Sequence, residues 1–201
     1  MTIKLPATTY WYTEGGYAFP AMIEVNAPNA DIVLVGDNKG GVLVKKAKSI
    51  AIGDGTTASA VTTTLTVNAD AGTTAVVVDA NATITEATTI NSTTATFTMD
   101  GTLSESSVHK GGALTIGGTV ADGKNLQYTG TAVIALTPGA TVAQLDINKA
   151  NANVVTLTGN ATKETVLKDL KFSATDNNEN LNVKSIGKVS ILKETITNST
   201  F

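Results

Sequence analysis

Threonine falls on alternate positions through much of this chain, and that spacing permits few folds. In Val61-Thr62-Thr63-Thr64-Leu65-Thr66-Val67, the residues Val61, Leu65 and Val67 share one side while Thr62, Thr64 and Thr66 share the other. Thr94-Ala95-Thr96-Phe97-Thr98-Met99 sets Ala95, Phe97 and Met99 against three threonines. Successive strand side chains point to opposite faces, so both stretches predict half-buried β-strands with a hydroxyl-covered outer surface. β-Branched Thr and Val suit a pleated sheet and lose little rotamer freedom in it.

Short apolar runs separated by turn residues continue the pattern. Asp31 to Val35 stops at the turn Gly36-Asp37-Asn38-Lys39-Gly40-Gly41, and Ile50-Ala51-Ile52 stops at Gly53-Asp54-Gly55. Further strands are expected at Thr74 to Asp79, Ala82 to Thr85, Ala113 to Ile116, Ala132 to Leu136, Ala143 to Asn148 and Val154 to Thr158. Spacing of this kind belongs to all-β sandwiches, barrels and solenoids, and few segments carry a helical apolar period. Aromatic residues make up only 4% of the 201 residues, so small β-formers must fill the interior. That favours a narrow body: an elongated β-solenoid or a thin β-sandwich. Thr-x-Thr recurs at uneven intervals, so any solenoid is degenerate in sequence.

Three zones differ in composition. Residues 1–30 hold Tyr10, Trp11, Tyr12, Tyr17 and Phe19 with three of the four prolines, and read as an N-terminal arm, cap or docking segment. Residues 31–159 form the Thr-rich β body. Residues 160–201 carry more charge, as in Thr165 to Phe172, Leu181 to Lys184 and Lys188 to Leu192, and read as a C-terminal capping β module. Outward lysines there would blunt a sheet edge.

Composition also excludes functions. Every one of the 14 cationic residues is Lys, and the net charge is −3. A mildly acidic chain without arginine is a poor nucleic-acid binder. Cysteine is absent, which removes disulfides and thiolate metal sites. No run of about 18 apolar residues exists, so no helical membrane span is expected. Met1 to Pro6 has no apolar segment of a secretory signal. The expectation is a protein made for the cytoplasm, or one whose signal has been removed.

Catalytic constellations are missing. His109 is the sole histidine, and its neighbours Ser106, Ser107 and Lys110 form no nucleophile elbow, so it reads as a polar strand or loop residue. Glu14, Glu24, Glu86, Glu105, Asp122 and Asp146 stand singly, without the aromatics and arginines of a glycan-cleaving cleft. The Asp/Asn/Gly clusters at 36–41, 53–55 and 176–180 lack the spacing of calcium loops and read as turns. The expectation is therefore no catalytic residue, no metal site and no cofactor. Asn81, Asn91, Asn160 and Asn198 head glycosylation-type triplets, which arise by chance in a chain this rich in Asn, Ser and Thr. An ice-binding hydroxyl grid would need regular spacing from coil to coil, which the sequence intervals do not supply. The segment with a functional lean is Tyr10, Trp11, Tyr12, Tyr17 and Phe19, either as a hydrophobic plug over the end of the body or as a docking interface.

Gly53-Asp54-Gly55-Thr56-Thr57, following Ser49-Ile50-Ala51-Ile52, resembles the GDGTT turn common in phage tail-fibre and virion-decoration proteins. The Thr/Ala/Gly/Asn texture is similar too, and bacterial surface-layer and adhesin β-solenoids share it, as around Gly139 to Leu145. The resemblance implies a non-enzymatic structural protein of a multi-subunit assembly: a virion fibre, decoration or tail component. The alternative is a subunit of a bacterial or archaeal surface layer, pilus or extracellular filament, and the third a carbohydrate-binding module. The partners expected are copies of the chain itself, as a trimer or filament, and a larger particle, with a surface glycan as a further ligand.

Overall fold

A computed structural model of the chain describes residues 8–11, 22–55, 60–148, 153–173 and 181–197. Strands, turns and bends make up these residues, with no helix among them. All strand pairings are parallel, which settles the choice between sandwich and solenoid in favour of the solenoid, with about eight turns. Parallel neighbours need a crossover between them, and here each crossover is one circuit of the coil.

β1 (Thr8–Trp11) precedes the coil. The first turn is β2 (Ile23–Leu34) and β3 (Asp37–Asn38), and the second is β4 (Val42–Ile52) and β5 (Ala60–Thr62). The third is β6 (Leu65–Val67), β7 (Ala75–Val78) and β8 (Ala82–Ile84), and the fourth β9 (Thr88–Ile90), β10 (Thr96–Met99) and β11 (Thr102–Leu103). The fifth is β12 (Ser107–His109), β13 (Leu114–Ile116) and β14 (Thr119–Val120), and the sixth β15 (Leu126–Tyr128), β16 (Ile134–Leu136) and β17 (Thr141–Val142). The seventh is β18 (Leu145–Ile147), β19 (Asn153–Thr158) and β20 (Thr165–Leu167). β21 (Leu170–Ser173), β22 (Leu181–Ile186), β23 (Val189–Ile191) and β24 (Glu194–Thr197) close the coil.

Stacking these turns gives three faces. Face one runs from Ile23–Val25 through Val42–Val44 and β6 to β24, and face two from β1 through Asp31–Leu34, Ser49–Ile52 and β7 to β22. Both belong to one 16-stranded sheet, because β2 and β4 pass through each. Face three is the separate 8-stranded sheet from β3 to β23. The pairing continues past Asn160 in both sheets.

Each three-residue strand points its first and last side chains inward, which builds columns of like residues along the axis. One column is Ile50, Val76, Phe97, Leu114, Ile134 and Val155, and its neighbour is Ile52, Val78, Met99, Ile116, Leu136 and Leu157. All are buried, each worth roughly 1.5–3 kcal/mol of burial for the larger side chains. The residues between successive members vary in number, and loops at the corners absorb the difference.

Thr94 to Met99 follows the alternation expected of it, with Ala95, Phe97 and Met99 buried. Val61 to Val67 does not. The chain bends at Thr63-Thr64 from face three to face one, which resets the alternation, so Ala60 and Thr62 point inward and Val61 outward. The buried Thr62 hydroxyl is met by the Asn38 side-chain amide at 3.3 Å. Asn38 itself lies on β3, within the segment 36–41 expected to be turn throughout. A similar bend at Lys168-Asp169 divides the single strand expected over Thr165 to Phe172.

Candidate interaction surface

The two ends of the coil are built differently. At the N-terminal end, Val25, Ile32 and Leu34 of the first turn are buried. β1 lies there parallel to β2, with Tyr10 opposite Val33 and Trp11 opposite Leu34. Two of the five aromatic residues singled out in the sequence therefore hold a defined backbone position at this end. Tyr12, Tyr17 and Phe19 lie outside the described residues.

At the C-terminal end the core is open. Val183 pairs with the buried Val155, and Ile196 with the buried Phe172, so both occupy core columns. Yet they are 37% and 46% exposed. Leu170, Phe172, Leu181, Val183 and Ile196 line a groove of about 230 Å³ whose remaining lining residue is Glu194. Glu194 stands in register with Leu170, placing a carboxylate on a core column of an edge strand. Beside the groove, Ile186 and Leu192 are exposed by 57% and 66%. β22, β23 and β24 each have a strand on one side only among the described residues. Such edges present unpaired backbone donors and acceptors. The sequence pattern pointed to lysine-guarded edges in this zone, but not to the exposed apolar columns.

Ion pairs run along the axis with a preferred sense. Lys45 meets Glu24 at 2.6 Å, Lys48 meets Asp31 at 3.0 Å, Lys124 meets Glu105 at 2.6 Å, Lys188 meets Glu164 at 3.5 Å and Lys193 meets Asp169 at 3.5 Å. In each the carboxylate is on the turn nearer the N-terminus. Lys46–Asp70 runs the other way, and Lys39–Asp37 lies within the first turn. The hydroxyl of Ser49 and then Lys48 hold the Asp31 carboxyl below its usual range, and a hydrogen bond from Lys124 does the same for Glu105.

Glu24, Glu105 and Asp122, considered in the sequence as carboxylates for chemistry, thus each hold a lysine, Asp122 through Lys168 at 2.5 Å. Asp146 is pushed up in pKa mainly by burial, and the exposed Glu86 sits in a bend. Glu14 lies outside the described residues. His109 lies on a strand, β12, and is buried there, in a core column between Ile90 and Tyr128. Burial lowers its pKa to about 4, against the opposing influence of the Gly112 and Ala113 backbone. Among the described residues no group of three or more His, Asp or Glu is placed to hold a metal ion. Gly53 and Gly55 both adopt positive φ, as a turn reading of Gly53-Asp54-Gly55 requires. Residues 176–180 are outside the described residues.

The lateral surface carries little charge on two faces. No charged residue lies in β7, β10, β13, β16 or β19. On face three, Thr83, Thr102, Thr119 and Thr141 pair in succession, forming an outward row on four consecutive turns. Uneven sequence intervals thus become a regular row of about 4.8 Å spacing once the corners take up the surplus. Among the described residues no helix is long and apolar enough to cross a membrane. No protein-family model, no curated protein and no solved structure matches the chain.

Proposed function

We propose that this chain is a non-enzymatic structural subunit of a multi-subunit assembly. The observation that carries the reading is the C-terminal end, where Val183 and Ile196 of the core columns are exposed and where, among the described residues, three edge strands have a neighbour on one side only. Parallel ladders wound around an aliphatic interior make a stiff rod, and a rod ending in an adhesive surface is suited to building. The Gly53-Asp54-Gly55-Thr56-Thr57 turn and the Thr-rich texture favour a virion fibre, decoration or tail component. A surface-layer, pilus or extracellular filament subunit is the alternative, with the same mechanical role. Light scattering on a size-exclusion column, followed by negative-stain imaging of the full chain, tests the proposal. Oligomers, filaments or a sheet are expected. A stable monomer up to the solubility limit would sink it.

The row Thr83, Thr102, Thr119 and Thr141 favours a second reading, in which face three orders water against ice. Hydroxyls and methyls repeated on a flat, uncharged sheet are what that role requires. Ice crystals grown in the protein should then be faceted, and Thr119→Lys should abolish the faceting. Round crystals with the natural chain would end this reading.

A further inference from the structure

The corners between faces one and two differ in length from turn to turn. Residues 68–74 cross from β6 to β7, 91–95 from β9 to β10, 110–113 from β12 to β13 and 129–133 from β15 to β16. The shortest of these, on turn five, lies between two longer ones, and the surface dips there into a hollow of about 350 Å³. Thr93 lines it from turn four, Lys110, Gly111 and Gly112 from turn five, and Thr129 and Thr131 from turn six. Its shape is fixed by the stacking. A Cβ on Gly111 or Gly112 would overlap the Thr93 and Ala95 carbonyls, so glycine is what lets turn five close against turn four. The Tyr128 hydroxyl joins the Gly112 carbonyl to the Ala132 amide and so ties the corners of turns five and six together. Walls held in place beforehand lower the ordering cost of binding.

Lys110 is the one formally charged residue across the corners of turns four, five and six and the strands that flank them, β9, β10, β12, β13, β15 and β16. Both corners beside it are described throughout. Among the described residues no carboxylate stands within ion-pair distance of its ammonium, whereas Lys45, Lys48 and Lys124 each hold one. We infer that the hollow binds a carboxylated sugar of an acidic glycan, with Lys110 meeting the carboxylate and Thr93, Thr129 and Thr131 the ring hydroxyls. One ammonium matches one carboxylate. A phosphate dianion calls for a second cation or an arginine fork, and these corners carry neither. Threonine hydroxyls both donate and accept, as sugar hydroxyls do. Val133, 53% exposed beside the turn-six corner, offers an apolar edge to the C–H side of a ring. The volume lies within the range of about 300–1,000 Å³ usual for small-molecule sites. The hollow sits on the flank of the rod, so it adds a binding role that does not depend on the C-terminal end.

Equilibrium dialysis of the full chain against radiolabelled glucuronate, N-acetylneuraminate, glucose and inorganic phosphate tests this, and it reads binding whether the chain is single or assembled. At least one of the two acids should bind about tenfold or more tightly than glucose and phosphate, and the tighter acid names the kind of sugar. Lys110→Gln should lower the affinity for that acid about tenfold, to the level of glucose, while Lys110→Arg should retain it. Lys110 is exposed, so both variants should keep the β-type circular dichroism of the natural chain. Lys163→Gln, which removes an exposed lysine from a different corner, should leave binding unchanged. Failure of both acids to bind would overturn the inference, as would equal binding of glucose or phosphate, or undiminished binding of the acid by Lys110→Gln. None of these results touches the assembly reading, which light scattering decides separately.

Discussion

The His109 ring is tilted 48° against that of Tyr128, with 5.5 Å between centroids, and Phe97 meets the same imidazole edge-on at 5.7 Å. The three rings lie together in a core built mostly from aliphatic side chains. Neither imidazole nitrogen has a hydrogen-bond partner of good geometry, so the ring serves as a neutral filler.

That placement sets a pH dependence. An unfolded chain binds a proton at His109 near pH 6.5, while the folded chain resists it down to about 4. The unfolded state therefore binds more protons between those values, and stability falls as pH drops through the window. The full loss is on the order of 3 kcal/mol, from about 1.4 kcal/mol per unit. His109→Leu should flatten this part of the curve. Carboxylates such as Asp31 and Glu105, held low by their partners, lose stability at lower pH in both chains, so the difference between their melting curves isolates His109. Parallel curves between pH 6.5 and 4 would refute the assignment.

Tyr128 fastens the corner after it. Its hydroxyl donates to the Gly112 carbonyl at 2.7 Å and accepts from the Ala132 amide at 3.0 Å. Tyr128→Phe keeps the ring and strands both backbone groups, so chemical denaturation should report a loss of about 1–3 kcal/mol. An unchanged midpoint would show that water replaces the hydroxyl at no cost.

Two glycines should respond differently to alanine. A Cβ on Gly118 would overlap the backbone carbonyls of Asp100 and Gly101 on the preceding turn. At Gly123 a Cβ meets nothing nearby, but φ is 74°. Gly123→Ala should cost about 1–2 kcal/mol from left-handed strain alone. Gly118→Ala should cost more, roughly 2–4 kcal/mol, because backbone cannot yield as a side chain does. Thermal melts that rank them in the opposite order would contradict the corner packing.

Asp79 lies near Asp54 and Asp100 at the corner between faces two and three, and its pKa is raised, first by burial and then by these two charges. Its ionised form is unfavourable in the fold, so this contribution is present at low pH and is lost as pH rises past the carboxylate range. Asp79→Asn should stabilise the fold modestly at pH 7, by about 0.5 kcal/mol or less, seen as a small rise in melting temperature, and leave it unchanged at pH 3. A drop at pH 7 would mean that the carboxylate carries a stabilising role.

Strand content and the inward faces of most strands were legible because alternation needs only local information. Phe97 and Met99 could be assigned to the core from Thr94 to Met99 alone. Thr62 could not, because the phase reset at Thr63-Thr64 comes from the bend between faces, which residue pattern does not mark. Asn38 looked like turn for the same reason: its burial depends on Thr62 one turn away. His109 read as a polar strand or loop residue, and its burial was not legible, since its neighbours Tyr128 and Phe97 come from different turns. The open end was invisible to local reading. Val183 and Ile196 sit in ordinary alternating strands, and only the end of the stack makes them exposed. The threonine row is the converse case, with irregular spacing in sequence and a regular row across Thr83, Thr102, Thr119 and Thr141.

Because each turn pairs only with the turn before and after it, cohesion in this molecule is a nearest-neighbour property. Among the described residues, interior turns are clasped from two sides, while β1 and β3 at one end and β22, β23 and β24 at the other are clasped from one, the latter with Val183 and Ile196 of their core columns also exposed. Unravelling should therefore travel as a zipper from that end, and the rod's lifetime is set by its least supported coil rather than by its average. A cover on the last turn would lengthen the life of every turn behind it.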